Sequence, residues 1–494
     1  MLMYSANGPV SGIRWPASML LLLIMGLLTP LTSMAEDREI DSRPSILIVV
    51  MDTVRRDAVS AYGGVADTTP NFDRLAEKGV RYTRAFSSAP WTVPSHASLF
   101  TGRTADQHRL SMPGVNRLPL EFETLAEQLS EAGYETAAFA ENITVSDAFD
   151  LLRGFDVRES SGLAVVDDYI QVNTLEASEA FQSWIAGRDT SRPFFAFVNV
   201  MDAHTPYPVH DENPWVPESA SKHLVTDRPL KSHTLLCGAL PPKDQLGVLR
   251  GLYLGGVHDA DRKLGEVVAA ARDSLGGQRL ITLVTSDHGE LFGEDHLLGH
   301  EFSVNHHLLA IPLVVSGLKS LKPTVIKAPV GLVDVMPTIL EWVGIDRPAD
   351  LPGRLLPMDA TQAEAAPART FFSSYTDQFS SVPEKWEGKA YSIDKDLVRQ
   401  FCVKSNRVFG AMASLIRYPF KYVWYERYAP SLYDLSWDPN ERSDQLKYKS
   451  DLAESFAAEM KKRVEASRIT EPAPEGSEMS EEALKRLKEL GYVH

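Results

Sequence analysis

The run SILIVVMD, residues 45–52, is an unbroken stretch of β-forming apolar residues that ends on an acid, Asp52. A run with no polar alternation suits a strand covered on both faces, which is the parallel arrangement of α/β proteins. Similar runs recur at PFFAFVNVMDAH (193–204), LITLVTSDHGE (280–290) and IPLVVSG (311–317), each after a helix-like segment. NFDRLAEKG (71–79), TLAEQLSEAGY (124–134) and DRKLGEVVAAARDSLGG (261–277) carry helical apolar spacing, and glycine marks the end of each. The expected fold is therefore α/β, with a mostly parallel central sheet sandwiched by helices. Asp52, Asp202, and Asp287 with His288 fall just past the carboxyl ends of three such strands. Open α/β sheets bind ligands there, so the three strands are expected to aim acids at one crevice.

Outward from that core the chain changes character at both ends. Arg14, the apolar run MLLLLIMGLL (19–28) and the small residues Ser33 and Ala35 form the three-part pattern of a secretory signal peptide, here 1–35. The run falls short of the ~20 residues a bilayer span needs, so cleavage is expected to leave no stable membrane span. The mature chain is then exported, to a periplasm or the outside. A catalytic region is expected over 44–360 and a C-terminal subdomain over 361–494. The latter opens with a polar connection, SSVPEKWEGKAYSIDKD (380–396). ASLIRYPFKYVWYERYAPSLYDLSWDPNERSDQ (413–445) follows, reading as antiparallel strands with a turn at WDPNE. SDLAESFAAEMKKRVEA (450–466) reads as a helix, and SEEALKRLKELGYVH (480–494) as a last one with Ser480 at its N-cap.

The 494 residues are 44% hydrophobic and carry a formal net charge of −16. That charge repels polyanions and excludes nucleic acid as the main partner. Cys237 and Cys402 are the two cysteines. Without a spacing pattern they form neither a disulfide framework nor a zinc site, and a single bridge between them stays open.

Chemistry concentrates at two places. In TSDHGE (285–290), Asp287 and His288 can offer an oxygen and a nitrogen to one divalent metal, and Asp52 can complete the cluster. In WTVPSHASLFTG (91–102), Pro94 and Ser95 suit a first helical turn and Gly102 its end, which puts Thr92 just before a helix N-terminus. The dipole there favours a bound anion, and an alkoxide developing on Thr92. His204, past the end of another strand, faces the same crevice.

Five stretches in order carry a resemblance: ILIVVMDTVRRDAVSAYGG (46–64), PNFDRLAEKGVRYTRAFSSAPWTVPSHASLFTGR (70–103), VNVMDAHTPYPVH (198–210), VTSDHGELFGEDHLLGH (284–300) and LYDLSWDPNE (432–441). Together they resemble the sulfatases of the alkaline phosphatase superfamily. The resemblance implies one divalent metal, calcium with manganese or zinc as alternatives, held by Asp52, Asp287 and His288. It implies Thr92 as the nucleophile and His204 and Asn142 as contacts to the bound anion. It places His300 near the leaving-group oxygen, and His96 at a substrate-binding position.

The departures from that family narrow the chemistry. Its signature reads Cys or Ser, any residue, Pro, any residue, Arg; this chain has TVPSH, with Thr92 for the cysteine and His96 for the arginine. Threonine cannot be matured to formylglycine, because oxidation of its carbinol gives a ketone. Thr53 stands where a second aspartate is common. Related branches with a threonine nucleophile attack phosphorus, where a positioned hydroxyl suffices. The expected activity is cleavage of a small-molecule or glycan sulfate, phosphate or phosphonate ester. The alternatives are a phosphoglycerol or phosphoethanolamine transferase, and an inactive pseudo-sulfatase that binds sulfated glycan. A second metal site is incomplete, since Asp202 and His204 are only two apart and His306 and His307 read as packing. Arg55 and Arg56 read as charge neutralisers or structural ion-pair partners.

Overall fold

The computed structural model describes residues 43–110, 117–166, 169–210, 212–217, 240–300, 302–318, 322–376, 407 and 410–467. The expected leader, both cysteines, the connection at 380–396 and the last helix at 480–494 lie outside the described residues.

An eight-stranded sheet forms the centre. Its strands in chain order are β1 (Ser45–Met51), β2 (Val80–Tyr82), β3 (Glu135–Ala140), β4 (Val157–Ser160), β5 (Phe194–Val200), β6 (Leu280–Thr285), β7 (Leu313–Ser316) and β8 (Thr324–Ile326). In space they run β8-β2-β7-β6-β1-β5-β3-β4. The five strands β6, β1, β5, β3 and β4 are parallel, with Ile46 beside Ile281 on one flank and Phe195 on the other. IPLVVSG departs from expectation: β7 runs antiparallel to both β6 and β2. A doubly buried run reads alike in either direction. Only a four-residue helix, His306–Leu309, precedes it instead of a crossover helix, so the chain turns back on itself.

Strand alternation assigns the two faces. Ile46, Ile48 and Val50 of β1 join one core with α2 (Thr92–Thr101), α3 (Leu125–Glu131) and α6 (Val335–Val343). Leu47, Val49 and Met51 join the other, with α1 (Pro70–Lys78), α4 (Ala177–Gly187) and α5 (Lys243–Ser274). The helix starts and stops follow local chemistry. Thr124 and Glu127 form a reciprocal capping box ahead of α3, and Gly102 closes α2 in the left-handed region at φ 66°. Helix α5 begins eighteen residues before the segment that signals it, because glycines 247, 251, 255 and 256 dilute the pattern there.

A separate antiparallel sheet runs β9 (Phe371–Tyr375), β10 (Met412–Arg417), β11 (Phe420–Tyr425), β12 (Ser431–Asp434). Phe456 and Met460 of α7 (Ser450–Ser467) cover one side, against Leu415, Tyr422 and Leu432. On the other side Phe371, Tyr375 and Ile416 share a core with Phe86, Leu291 and Leu308 of the main body. Ser373 Oγ donates to Ser87 O at 2.6 Å and Ser374 N to Ser88 O at 3.3 Å. The second sheet thereby braces the backbone that leads into α2. Among the described residues no helix is long and apolar enough to cross a membrane.

Candidate active site

Four neighbouring parallel strands deliver the site. Asp52 follows β1, Asn142 follows β3, His204 follows β5, and Asp287 with His288 follows β6. Asp52, Asp287 and His288 are buried, and one ligand atom from each lies within 4.8 Å of the others.

Each carboxylate divides its oxygens between two tasks. Asp287 Oδ1 accepts from Thr53 N (3.1 Å) and His288 N (2.9 Å), while Oδ2 is buried without a hydrogen bond. Asp52 Oδ2 accepts from Asn142 Nδ2 (2.9 Å) and Asn199 Nδ2 (3.1 Å), while Oδ1 has no partner. Burial and the nearby Asp287 push the Asp52 carboxyl up to about 7, and burial pushes Asp287 up to about 7. Buried carboxylate oxygens without partners are costly, and a cation offsets that cost. His288 Nδ1–H donates to Gly289 O at 2.9 Å, which leaves the Nε2 lone pair facing the carboxylates, 3.2 Å from Asp287 Oδ2. Burial lowers its pKa and keeps it neutral, as a ligand must be. Two oxygens and one imidazole nitrogen thus fit a divalent metal.

Thr92 is the first residue of α2, one position further into the helix than its sequence suggests; Trp91 is the N-cap. Its hydroxyl lies 3.4 Å from His288 Nε2, and Asn142 Nδ2 donates to it at 3.3 Å. Thr144 donates through N (3.0 Å) and Oγ1 (2.8 Å) to Asn142 Oδ1, which orients the amide with its NH2 toward Asp52 and Thr92. Ser95 Oγ donates to Asp287 O at 2.7 Å, tying α2 to the loop after β6.

His300 packs between two site imidazoles, its ring centroid 4.5 Å from that of His288 and 5.1 Å from that of His204. His204 Nδ1–H donates to Thr205 O at 2.6 Å. His96 belongs to α2 and is turned into the core: Nδ1–H donates to Thr92 O at 2.9 Å, and the ring stands edge-on to Phe197. Burial holds it near pKa 4, hence neutral.

Asp202 does not join the cluster. Its carboxylate pairs with Lys263 of α5 at 3.0 Å, which corrects the expectation that three strands aim acids at one point. Arg55 is buried among Asp57, Glu294 and Glu290 O, and Arg56 donates to Thr83 O, so both are structural. His306 is buried in packing, and His307 lies 2.8 Å from the Arg55 guanidinium.

Two site residues escaped sequence reading. Asn199 was signalled only as an amide in an apolar strand, FVNV. Glu290, two residues past His288, is fully buried with Oε1 3.4 Å from His300 Nδ1.

With this geometry in view, the sulfatase family's sequence model matches residues 44–345. The chain belongs to the sulfatase family. It is an ester hydrolase of the alkaline phosphatase superfamily, whose members generally use a divalent metal. This sulfatase is 27% identical over 357 residues to the uncharacterized sulfatase YidJ of Escherichia coli K12, covering 63% of this chain and 70% of that one. Its fold matches the phosphonate monoester hydrolase of Agrobacterium radiobacter with a TM-score of 0.62 at 20% identity, over 86% of this chain and 96% of that one. It matches a 2-O GAG sulfatase with a TM-score of 0.63 at 20% identity, over 86% and 93%.

Proposed function

We propose that this sulfatase-family protein is an exported hydrolase that cleaves sulfate, phosphate or phosphonate esters through Thr92, with calcium at Asp52, Asp287 and His288. The observation that carries the reading is the Thr92 hydroxyl at the head of α2, 3.4 Å from His288 Nε2 and 3.3 Å from the Asn142 amide. A divalent cation bound there would supply positive charge that lowers the pKa of a neighbouring hydroxyl and neutralises the ester's oxygens.

The residues divide the work as follows. Thr92 releases its hydroxyl proton to solvent as Oγ1 attacks the sulfur or phosphorus, and the bond to the leaving oxygen breaks. The Asn142 amide and the His204 imidazole hold the non-bridging oxygens, and His300 gives a proton to the departing alcohol. Water then attacks the threonine ester at the same atom and restores the hydroxyl. Threonine has no second hydroxyl with which to expel sulfate, so turnover depends on attack at the central atom, which favours phosphorus. The 2-O GAG sulfatase and the phosphonate monoester hydrolase among the fold neighbours support both substrate classes, small-molecule and glycan esters alike.

The deciding experiment assays the calcium-loaded protein on an aryl sulfate, a phosphate monoester, a phosphodiester and a phosphonate monoester, beside Thr92→Ala. Thr92→Ala is expected to lose at least about 10³-fold on the preferred ester. Equal rates for the two proteins on all four would remove Thr92 as nucleophile.

A further inference from the structure

Lys263, on α5, sits outside the site yet touches the two loops that hold the substrate's oxygens. Its buried Nζ lies 2.8 Å from Glu141, 3.0 Å from Asp202 and 3.0 Å from Glu176. Glu141 immediately precedes Asn142, and Asp202 stands two residues before His204. The same Glu141 carboxylate accepts from Met201 N (2.8 Å) and Ala177 N (3.2 Å), so it also ties the end of β3 to the start of the next loop and to α4. A buried ammonium among carboxylates holds its geometry firmly, since displacing it leaves charges without partners.

Two further residues show that α5 sets the height of these loops. Tyr253, Gly256, Ala260 and Lys263 are spaced by three, four and three, which places them along one face. The Tyr253 hydroxyl donates to Thr53 O (3.0 Å) and accepts from Arg55 N (2.8 Å), just after Asp52. Gly256 lies against the chain at Asp202, where an added Cβ would come within 2.1 Å of the Asp202 carbonyl oxygen. One helix face therefore meets the loops after β1, β5 and β3 in turn.

We infer that Lys263 is a positioning residue that aligns Asn142 and His204 on the substrate's anionic group, while Tyr253 on the same face aligns the metal-side loop. The inference rests on the reading above in which Asn142 and His204 hold the ester's oxygens. The ion pairs of Lys263 are with Glu141, Glu176 and Asp202 and not with Asp52, Asp287 or His288, so its effect falls on anion affinity and leaves cation affinity alone.

The test is calorimetry on the folded protein, titrated first with calcium and then, at saturating calcium, with inorganic phosphate and inorganic sulfate as probes. Lys263→Met is expected to weaken binding of the better probe by about tenfold and to raise KM on an ester substrate more than it lowers kcat, with calcium affinity unchanged. Lys263→Arg is expected to recover most of the loss. Tyr253→Phe is expected to do the reverse, weakening calcium and sparing the probe once calcium is saturating. Should Lys263→Met fail to fold, Glu141→Gln carries the test, because it loses the charge that draws Lys263 while its amide oxygen keeps one of the two backbone acceptors, for Met201 or for Ala177. Wild-type probe affinity in a folded Lys263→Met or Glu141→Gln, beside a loss in Asn142→Ala, overturns the inference. Parallel loss of calcium and probe in Lys263→Met also overturns it, as a general structural effect. Unchanged probe binding in Asn142→Ala instead overturns the parent reading of Asn142.

Discussion

At Thr92 the hydroxyl meets an imidazole lone pair on one side and an amide donor on the other, and it stands at the positive end of α2. A serine presents the same hydroxyl, so Thr92→Ser should keep activity within about tenfold in a steady-state assay, whereas Thr92→Ala abolishes it. Loss in both would tie function to the threonine methyl group and count against the hydroxyl. Glu290 makes a second case, since its buried carboxylate lies 3.4 Å from Nδ1 of His300 and fixes the orientation of that ring. Glu290→Gln is expected to slow esters with poor leaving groups more than p-nitrophenyl esters, and a uniform loss across leaving groups would separate Glu290 from the departure step. Asp287→Ala should lose its bound metal in an elemental analysis; full occupancy would strike Asp287 from the ligands.

The buried carboxyls also make a signed statement about pH. Asp52 and Asp287, near 7 when folded without metal, and Glu441, pushed up to about 7 by burial, all sit above the ~4 of an unfolded chain. Their contribution to stability is present below pH ~4 and lost as pH rises through 7. The buried histidines 96 and 108, depressed to about 4 and 3, act in the opposite sense, but only below the ~6.5 of an unfolded imidazole. Burial also depresses His288, His306 and His307, so the carboxyl share is isolated by difference: in chelator-treated protein the melting temperature of the wild type minus that of Asp287→Asn should fall as pH rises from about 4 to 7, the histidines being common to both. Calcium should flatten that slope; a difference that grows with pH in the chelated protein would contradict the assignment.

At the scale of elements, the sequence was most legible where pattern and chemistry coincide. β1, β5 and β6 announce themselves as apolar runs, and β1 and β6 end on the metal-fitting residues Asp52, Asp287 and His288. The direction of β7 was not legible, because burial on both faces erases any difference between parallel and antiparallel neighbours. β9 gives no strand signal in the sequence because Ser373 and Ser374 interrupt its apolar residues, although Ser373 is buried and bonded to Ser87. Asp202 was misjudged for a related reason: its position was right for a ligand, but Lys263 lies 61 residues along the chain and nothing in the local pattern links them. Helix α5 offers a direct measurement at this scale. Gly256→Ala would force a Cβ to within 2.1 Å of the Asp202 carbonyl oxygen, so the helix or the His204 loop must shift. The variant should melt at a lower temperature and bind inorganic phosphate more weakly, and an unaltered melting curve would mean that the contact is easily relieved.

Across the whole molecule, the catalytic crevice is the meeting place of parts that are far apart in sequence. Residues 52, 92, 142, 204, 288 and 300 reach it from strand ends and one helix, while β9, from beyond residue 370, bonds to Ser87 ahead of α2. The family match ends at residue 345, and every residue proposed for catalysis or metal binding lies before that point. A protein shortened to that limit would still encode the full set of reactive groups, yet the carbonyls of Ser87 and Ser88 would lose their donors, and Phe86, Leu291 and Leu308 would face water. The stretch that carries the family's sequence pattern is therefore smaller than the unit whose packing holds the site, and trimming to it would trade a braced crevice for a loosened one.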